Sequence, residues 1–213
     1  MILFDLDGTL VDTAPDLGYA LNLQRERHGL AHLPLEAIRP FASHGSKGLL
    51  NIGFDLTPDD ESFESMRVEY LDLYEQVFTR SPMLFDGISE LLSSLQKRDI
   101  QWGVVTNKPR RFAAPLIESM HLSTPMTCLV CGDDAPFPKP APDTLFMACE
   151  QSLVKPERCF YVGDAERDIE AGNAAGMKTV VALWGYIDVT DSPMRWGANF
   201  AINYPSEIIA LMG

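Results

Sequence analysis

The chain has 213 residues, 46% of them hydrophobic and 22% charged, a composition that suits one folded core with room for a small insert and excludes a disordered chain. Its formal net charge of −13 argues against binding a nucleic-acid backbone. The same charge repels an anionic metabolite, so any phosphate site must be made locally positive by a metal, a lysine or helix N-termini.

In chain order, residues 1–6 predict a short buried strand followed by the tight loop Asp7-Gly8-Thr9. No basic stretch opens the sequence, and no apolar run approaches the roughly 20 residues that cross a bilayer. The expectation is a cytoplasmic protein without signal peptide or membrane contact. From Leu17 to about Leu71 apolar residues recur at helical spacing, broken at Gly29, Pro34, Gly45, Gly53 and Pro58. No strand is predicted there, so residues 14–82 read as an all-helical inserted domain.

After Pro82 strand and helix alternate. Strands are predicted at Trp102–Thr106, Cys128–Cys131, Cys159–Val162, Thr179–Leu183 and Ala201–Ile202. Helices are predicted at Ile88–Leu95, Arg111–Met120, Asp143–Gln151, Asp168–Gly176 and Ser206–Leu211. Short apolar strands between helices predict an α/β fold with a parallel, doubly wound, Rossmann-like sheet built from residues 1–13 and 83–213. Cys128 and Cys131 form a C-x-x-C without a second pair or histidines at ligand spacing, so all four cysteines are expected to be reduced thiols.

Three predicted strands end in polar residues: Asp5-Leu6-Asp7, Thr106-Asn107 and Gly163-Asp164, with Asp168 four residues beyond. Ligands of open α/β sheets bind beyond the carboxyl ends of the strands, so these groups can converge. Asp5 and Asp7 repel each other unless a cation lies between them, and oxygen ligands suit Mg²⁺, with Asp164 a natural third contributor. A carboxylate can also act as a nucleophile toward phosphorus, and a second one as general acid and base. Lys139, between Pro138 and Pro140, can present a point charge to a phosphate. Taken singly, these residues are also ordinary caps, turn formers and surface groups.

Taken together they resemble the motifs of the haloacid dehalogenase superfamily of phosphohydrolases, in order and over essentially the whole chain. The first motif is Asp5-Leu6-Asp7-Gly8-Thr9-Leu10-Val11-Asp12-Thr13, the second Thr106-Asn107, the third Lys139, and the fourth Gly163-Asp164-Ala165-Glu166-Arg167-Asp168. The resemblance implies Asp5 as nucleophile and metal ligand, and Asp7 as general acid and base with its carbonyl on the metal. It implies Thr106 and the Asn107 backbone on the phosphoryl group, and Lys139 on the developing charge. Asp164 becomes a Mg²⁺ ligand and Asp168 either an outer partner or a second anchor. Asp12 either braces the loop or caps the first helix.

The insert matches the helical cap of the phosphoglycolate-phosphatase-like branch, whose Arg39–Gly48 counterpart meets the substrate. Arg39, His44 and Lys47 are therefore expected to contact the substrate. Trp184-Gly185-Tyr186-Ile187 and Pro193–Ala198 are expected to be packing beside the site. The cap and these segments are also similar to a bacterial branch that dephosphorylates N-acetylmuramic acid 6-phosphate in cell-wall recycling. The implied activity is Mg²⁺-dependent hydrolysis of a small phosphorylated metabolite through an aspartyl-phosphate, by a monomer or dimer. A sugar-phosphate mutase and a non-catalytic binder of phosphorylated metabolites are the alternatives. Asp7 argues against a dehalogenase, which lacks that acid, and missing membrane helices argue against a P-type ATPase.

Overall fold

The computed structural model describes residues 1–122 and 125–212. A six-stranded parallel sheet is built from β1 (Ile2–Phe4), β4 (Trp102–Val105), β5 (Leu129–Val130), β6 (Phe160–Gly163), β7 (Lys178–Ala182) and β8 (Phe200–Ile202). The strand order is β5-β4-β1-β6-β7-β8. Ile2 pairs with Trp102 on one side and Phe160 on the other, so β1 is central and buried on both faces.

The period-two alternation of a strand sends side chains to opposite faces. Ile2 and Phe4 join one core, with Trp102, Val104 and Val162. Leu3 joins the other, with Val105 and Tyr161. Helices α5 (Ile88–Lys97) and α6 (Arg110–Ser119) cover the first face through Leu91, Leu95, Leu116 and Ile117, joined by α9 (Glu207–Ala210) through Ile208. Helices α7 (Asp143–Ser152) and α8 (Glu166–Ala174) cover the second through Leu145, Ala148 and Ala171. The chain steps outward from β1 in both directions, which gives a topological switch point beside its carboxyl end.

Between β2 (Val11–Asp12) and β3 (Met83–Leu84) the chain forms α1 (Ala14–Arg27), α2 (Leu35–Ile38), a 3₁₀ turn at Arg39–His44, α3 (Gly45–Phe54) and α4 (Phe63–Glu75). These helices bury Leu17, Leu21, Leu49, Leu50, Tyr70 and Leu73 in a core of their own, into which Phe112 of α6 and Tyr186 also reach. The pairing of β2 with β3 is antiparallel and was not predicted. Two-residue strands carry no readable periodicity.

The other predicted elements are present, with ends that differ by at most two residues. β4 stops at Val105, which leaves Thr106 in the loop, and α8 begins at Glu166, which places Asp168 in its first turn. All four cysteines are buried and free.

Candidate active site

The carboxyl ends of β1, β4 and β6 deliver three loops to one place. After Asp5 and Asp7 the chain turns at Gly8, where φ is +85°. A Cβ at Gly8 would stand 2.2 Å from Asp164 Oδ2, so only glycine lets the first loop lie against the β6 loop. The β4 loop brings Thr106, Asn107 and Lys108 alongside.

Asp5, Asp164 and Asp168 are buried, and one carboxylate oxygen of each lies within 4.8 Å of the others. Burial pushes the Asp164 carboxyl up to about 7, and the charges of Asp5 and Asp168 push the same way. Burial also raises Asp5, against the opposing pull of Lys139. Lys139 Nζ, itself buried, donates to Tyr161 Oη at 2.6 Å, Asp168 Oδ1 at 2.7 Å and the Val105 carbonyl at 3.2 Å. Those three bonds use all its donors. It also stands 2.9 Å from Asp5 Oδ1, a charge contact without hydrogen-bond alignment. That oxygen is buried and has no hydrogen-bond partner among the described residues. An orphaned carboxylate oxygen beside two further acids fits a hard divalent cation, and this group of acids can hold a metal ion.

The acids differ in what already occupies them. Asp164 Oδ1 accepts from Thr9 Oγ1 at 2.9 Å. Its Oδ2 accepts from Ser43 Oγ at 2.7 Å and from the Tyr186 amide at 2.9 Å. Asp168 Oδ2 accepts from the Ala165 amide at 3.0 Å, which closes the first turn of α8, so both its oxygens are engaged by protein groups. The Asp7 carboxylate stands apart from the acidic group. Its Oδ1 accepts from Thr13 Oγ1 at 2.5 Å and from Lys108 Nζ at 2.9 Å.

Thr106 is buried at the cavity floor, and its Oγ1 accepts from the Lys108 amide at 3.1 Å. The Asn107 side chain is turned onto the Lys139 backbone, donating to its carbonyl at 2.8 Å and accepting from its amide at 2.9 Å. It therefore fixes the lysine, and what Asn107 has left for a ligand is backbone.

A cavity of about 510 Å³ separates this floor from the helical layer. Asp5, Asp7, Thr106, Lys108, Lys139 and Arg167 line it from the sheet side, and Ser43, His44, Lys47, Arg67, Tyr70 and Tyr74 from the helices. Partial burial, and then the charge of Arg167, lower the His44 imidazole from its usual 6.5, so it faces the cavity uncharged at neutral pH. Lys47 stands exposed at the rim.

Arg39 is placed differently from the sequence expectation. It does not line the cavity; it forks onto Asp12 at 3.0 and 2.9 Å and lies over the Tyr186 ring at 5.6 Å. The bidentate carboxylate partner engages both terminal nitrogens of the guanidinium. Asp12 does both things open to it: besides Arg39 it accepts from the Ala14 amide at 3.3 Å, at the start of α1.

Five residues that the sequence reading gave no site role of their own stand here: Lys108, Ser43, Arg67, Arg167 and Tyr186. Lys108 directly follows the polar pair at the end of β4, and that adjacency was its signal. Tyr186 was read as packing, yet its hydroxyl accepts from the Thr13 and Ala14 amides at 2.7 and 2.9 Å and donates to Asp12 at 2.8 Å. Ser43 and Arg167 meet across the interface, where the guanidinium donates to the Ser43 carbonyl at 2.6 Å. Arg67 reaches the cavity from α4, paired with Glu64.

The haloacid dehalogenase-like hydrolase family matches residues 2–182. The chain belongs to that family. It is 39% identical to the N-acetylmuramic acid 6-phosphate phosphatase of Pseudomonas aeruginosa, over 99% of this chain and 93% of that one. It is 37% identical to the phosphoglycolate phosphatase of Xanthomonas campestris, over 97% and 93%. A haloacid dehalogenase-like hydrolase of Streptococcus pneumoniae shares the fold, with a TM-score of 0.85, 21% identity, and coverage of 100% of this chain and 97% of that one. As a member of this hydrolase family with phosphatases as relatives, the chain is a phosphoric monoester hydrolase. None of its described helices is long and apolar enough to cross a membrane.

Proposed function

We propose that this hydrolase is a Mg²⁺-dependent phosphatase that cleaves a phosphorylated amino sugar of the N-acetylmuramic acid 6-phosphate type through an aspartyl-phosphate on Asp5. The observation that carries the reading is the orphaned Asp5 oxygen, set among buried acids on the floor of the large cavity.

Mg²⁺ would be held by the carboxylates of Asp5 and Asp164 and the Asp7 carbonyl, and would supply Lewis-acid polarisation of the phosphoryl oxygens. Asp168 acts from outside: its Oδ1 already carries the Lys139 ammonium and its Oδ2 closes the first turn of α8, whereas among the described residues Asp164 Oδ1 carries only the Thr9 hydroxyl. An Asp5 carboxylate oxygen attacks phosphorus while the bond from phosphorus to the sugar oxygen breaks. Asp7 gives its proton to that leaving oxygen. It then takes a proton from the water that attacks the aspartyl-phosphate, which frees phosphate and restores Asp5. The Thr106 hydroxyl and the Asn107 backbone meet the phosphoryl oxygens, and Lys139 offsets charge on Asp5. Residues 14–82 form the cap over this chemistry and residues 1–13 and 83–213 the catalytic core.

The cavity size supports the substrate. At about 30 Å³ per water it has room for roughly 17 waters, far more than a two-carbon phosphate ester displaces. An amino sugar with its lactyl group fills much of that space, and Lys47 and Arg67 face it with positive charge. The test is kcat/KM for N-acetylmuramic acid 6-phosphate and for phosphoglycolate, each with Mg²⁺ and with EDTA. The expected result is a preference of at least tenfold for the sugar and loss of turnover in EDTA. A preference for phosphoglycolate overturns the substrate, and undiminished activity in EDTA overturns the metal.

A further inference from the structure

Lys108 is buried at the meeting of the two layers, and burying an ammonium group is costly unless it is paired. Among the described residues its side-chain partners are two: Asp7 Oδ1 at 2.9 Å and Tyr74 Oη at 2.8 Å, with the Tyr74 ring face 4.8 Å from Nζ. Asp7 comes from the loop after β1, whereas Tyr74 comes from α4 in the helical layer. Tyr74 is itself fixed, stacked on Tyr70 with ring centroids 6.2 Å apart and tilted against Phe112 at 5.2 Å. Lys108 is thus a rigid strut between a helix of the cap and the loop that carries Asp7.

The effect on Asp7 follows from which oxygen is held. Thr13 Oγ1 and Lys108 Nζ both donate to Oδ1, while Oδ2 has no hydrogen-bond partner among the described residues and Asp7 lines the cavity. Two donors on one oxygen fix the plane of the carboxylate and leave the other oxygen for the substrate. With Thr13 alone the carboxylate can turn about its terminal torsion, whose energy wells are broad. Tyr74 ties this fixation to the position of the helices, because Nζ is held in place only while Tyr74 stands over it.

We propose that Lys108 is a positioning residue that aims Asp7 at the leaving oxygen, and that Tyr74 makes this aim depend on the seated helical layer. The inference rests on the reading of Asp7 as proton donor given above. It predicts that the strut matters in proportion to how badly the leaving group needs a proton.

The test uses the full chain with Mg²⁺ and a set of aryl phosphates of nearly equal size, from phenyl phosphate to p-nitrophenyl phosphate, whose leaving groups run from poor to good. The shared aryl ring keeps differences in how the cavity holds them small, and KM reports any that remain. Lys108→Met is expected to lower kcat on phenyl phosphate by about 100-fold, within the range that general acid catalysis supplies, and on p-nitrophenyl phosphate by less than about threefold. KM should be unchanged. Tyr74→Phe, which removes only the hydroxyl, should show the same selectivity at about 3- to 10-fold, and it carries the test should Lys108→Met fail to fold. Asp7→Asn is the reference. Suppose Asp7→Asn is selective for the poor leaving group while Lys108→Met and Tyr74→Phe slow all esters alike or none. The strut is then structural and the inference falls, with the Asp7 reading intact. Should Asp7→Asn itself show no selectivity, the proton-donor reading falls and takes this one with it.

Discussion

Replacing Asp164 by Asn should make the metal-free protein more stable, although it removes a buried residue with three hydrogen bonds. The Asp164 carboxyl titrates at about 7 rather than an ordinary 3.8, because burial and its neighbours Asp5 and Asp168 disfavour the charged form. A raised acid binds its proton more tightly in the folded state, so its contribution to stability falls as pH rises from about 4 to about 7 and is then constant. The shift is about 3 pKa units, which at about 1.36 kcal/mol each is roughly 4 kcal/mol at pH 8. Asparagine removes the charge and keeps the partners. Its oxygen accepts from Ser43 and the Tyr186 amide, and its NH₂ donates to Thr9 Oγ1, which can rotate to accept. For a domain of this size each kcal/mol moves Tm by about 2–4 °C, so the upper bound at pH 8 is a rise of about 8–16 °C. The assay is thermal unfolding of wild type and Asp164→Asn in EDTA and in Mg²⁺, at pH 5 and pH 8. The variant's advantage in EDTA should be larger at pH 8. Mg²⁺ should raise the wild-type Tm more at pH 8 than at pH 5, since proton and metal compete for Asp164, and should leave the variant nearly unmoved. A variant less stable than wild type in EDTA at pH 8 would refute the reasoning.

Asp5→Asn should cut turnover by more than about 100-fold with an unchanged far-UV spectrum, since an amide of similar size cannot attack phosphorus. Lys47→Ala and Arg67→Ala should lower kcat/KM for the sugar phosphate by about 10- to 100-fold and leave p-nitrophenyl phosphate within about twofold; equal losses on both would show that these cations serve the shared chemistry. Arg39→Ala, by contrast, should cost about 1 kcal/mol of stability in a urea titration, because it breaks a partly exposed forked pair with Asp12, and should slow both esters alike. Native protein should not react with a thiol reagent on the minutes scale while unfolded protein yields four thiols, since all four cysteines are buried and burial pushes Cys131 up to about 12.

The sheet was legible because its strands are continuous apolar runs, such as Trp102–Val105, bounded by polar strand ends where loops converge. Asp5, Asp7 and Asp164 were legible as candidates for the same reason, since charge at the end of a buried strand is conspicuous, whereas Lys139 stood out through its flanking Pro138 and Pro140. Arg39 was misplaced because a cation in a polar, glycine-rich segment reads as ligand-facing, and only the folded chain shows Asp12 beneath it. Lys108 and Tyr74 could not be paired from sequence, because the contact joins residues 34 positions apart on different layers. Tyr186 was hidden by its type: an aromatic side chain reads as packing, and its hydroxyl bonds appear only once the loops meet.

The short ladder of Val11 with Leu84 and Asp12 with Met83 brings the entry and exit of the helical layer side by side. The whole helical segment is therefore grafted onto the core at a single doorway, and neither β1 nor β4 would need to shift if it were exchanged for another. On the function proposed above, this layout would keep the groups that act on phosphorus apart from most of those that choose the leaving group, with Ser43 and Tyr74 the contacts that an exchanged segment would have to restore.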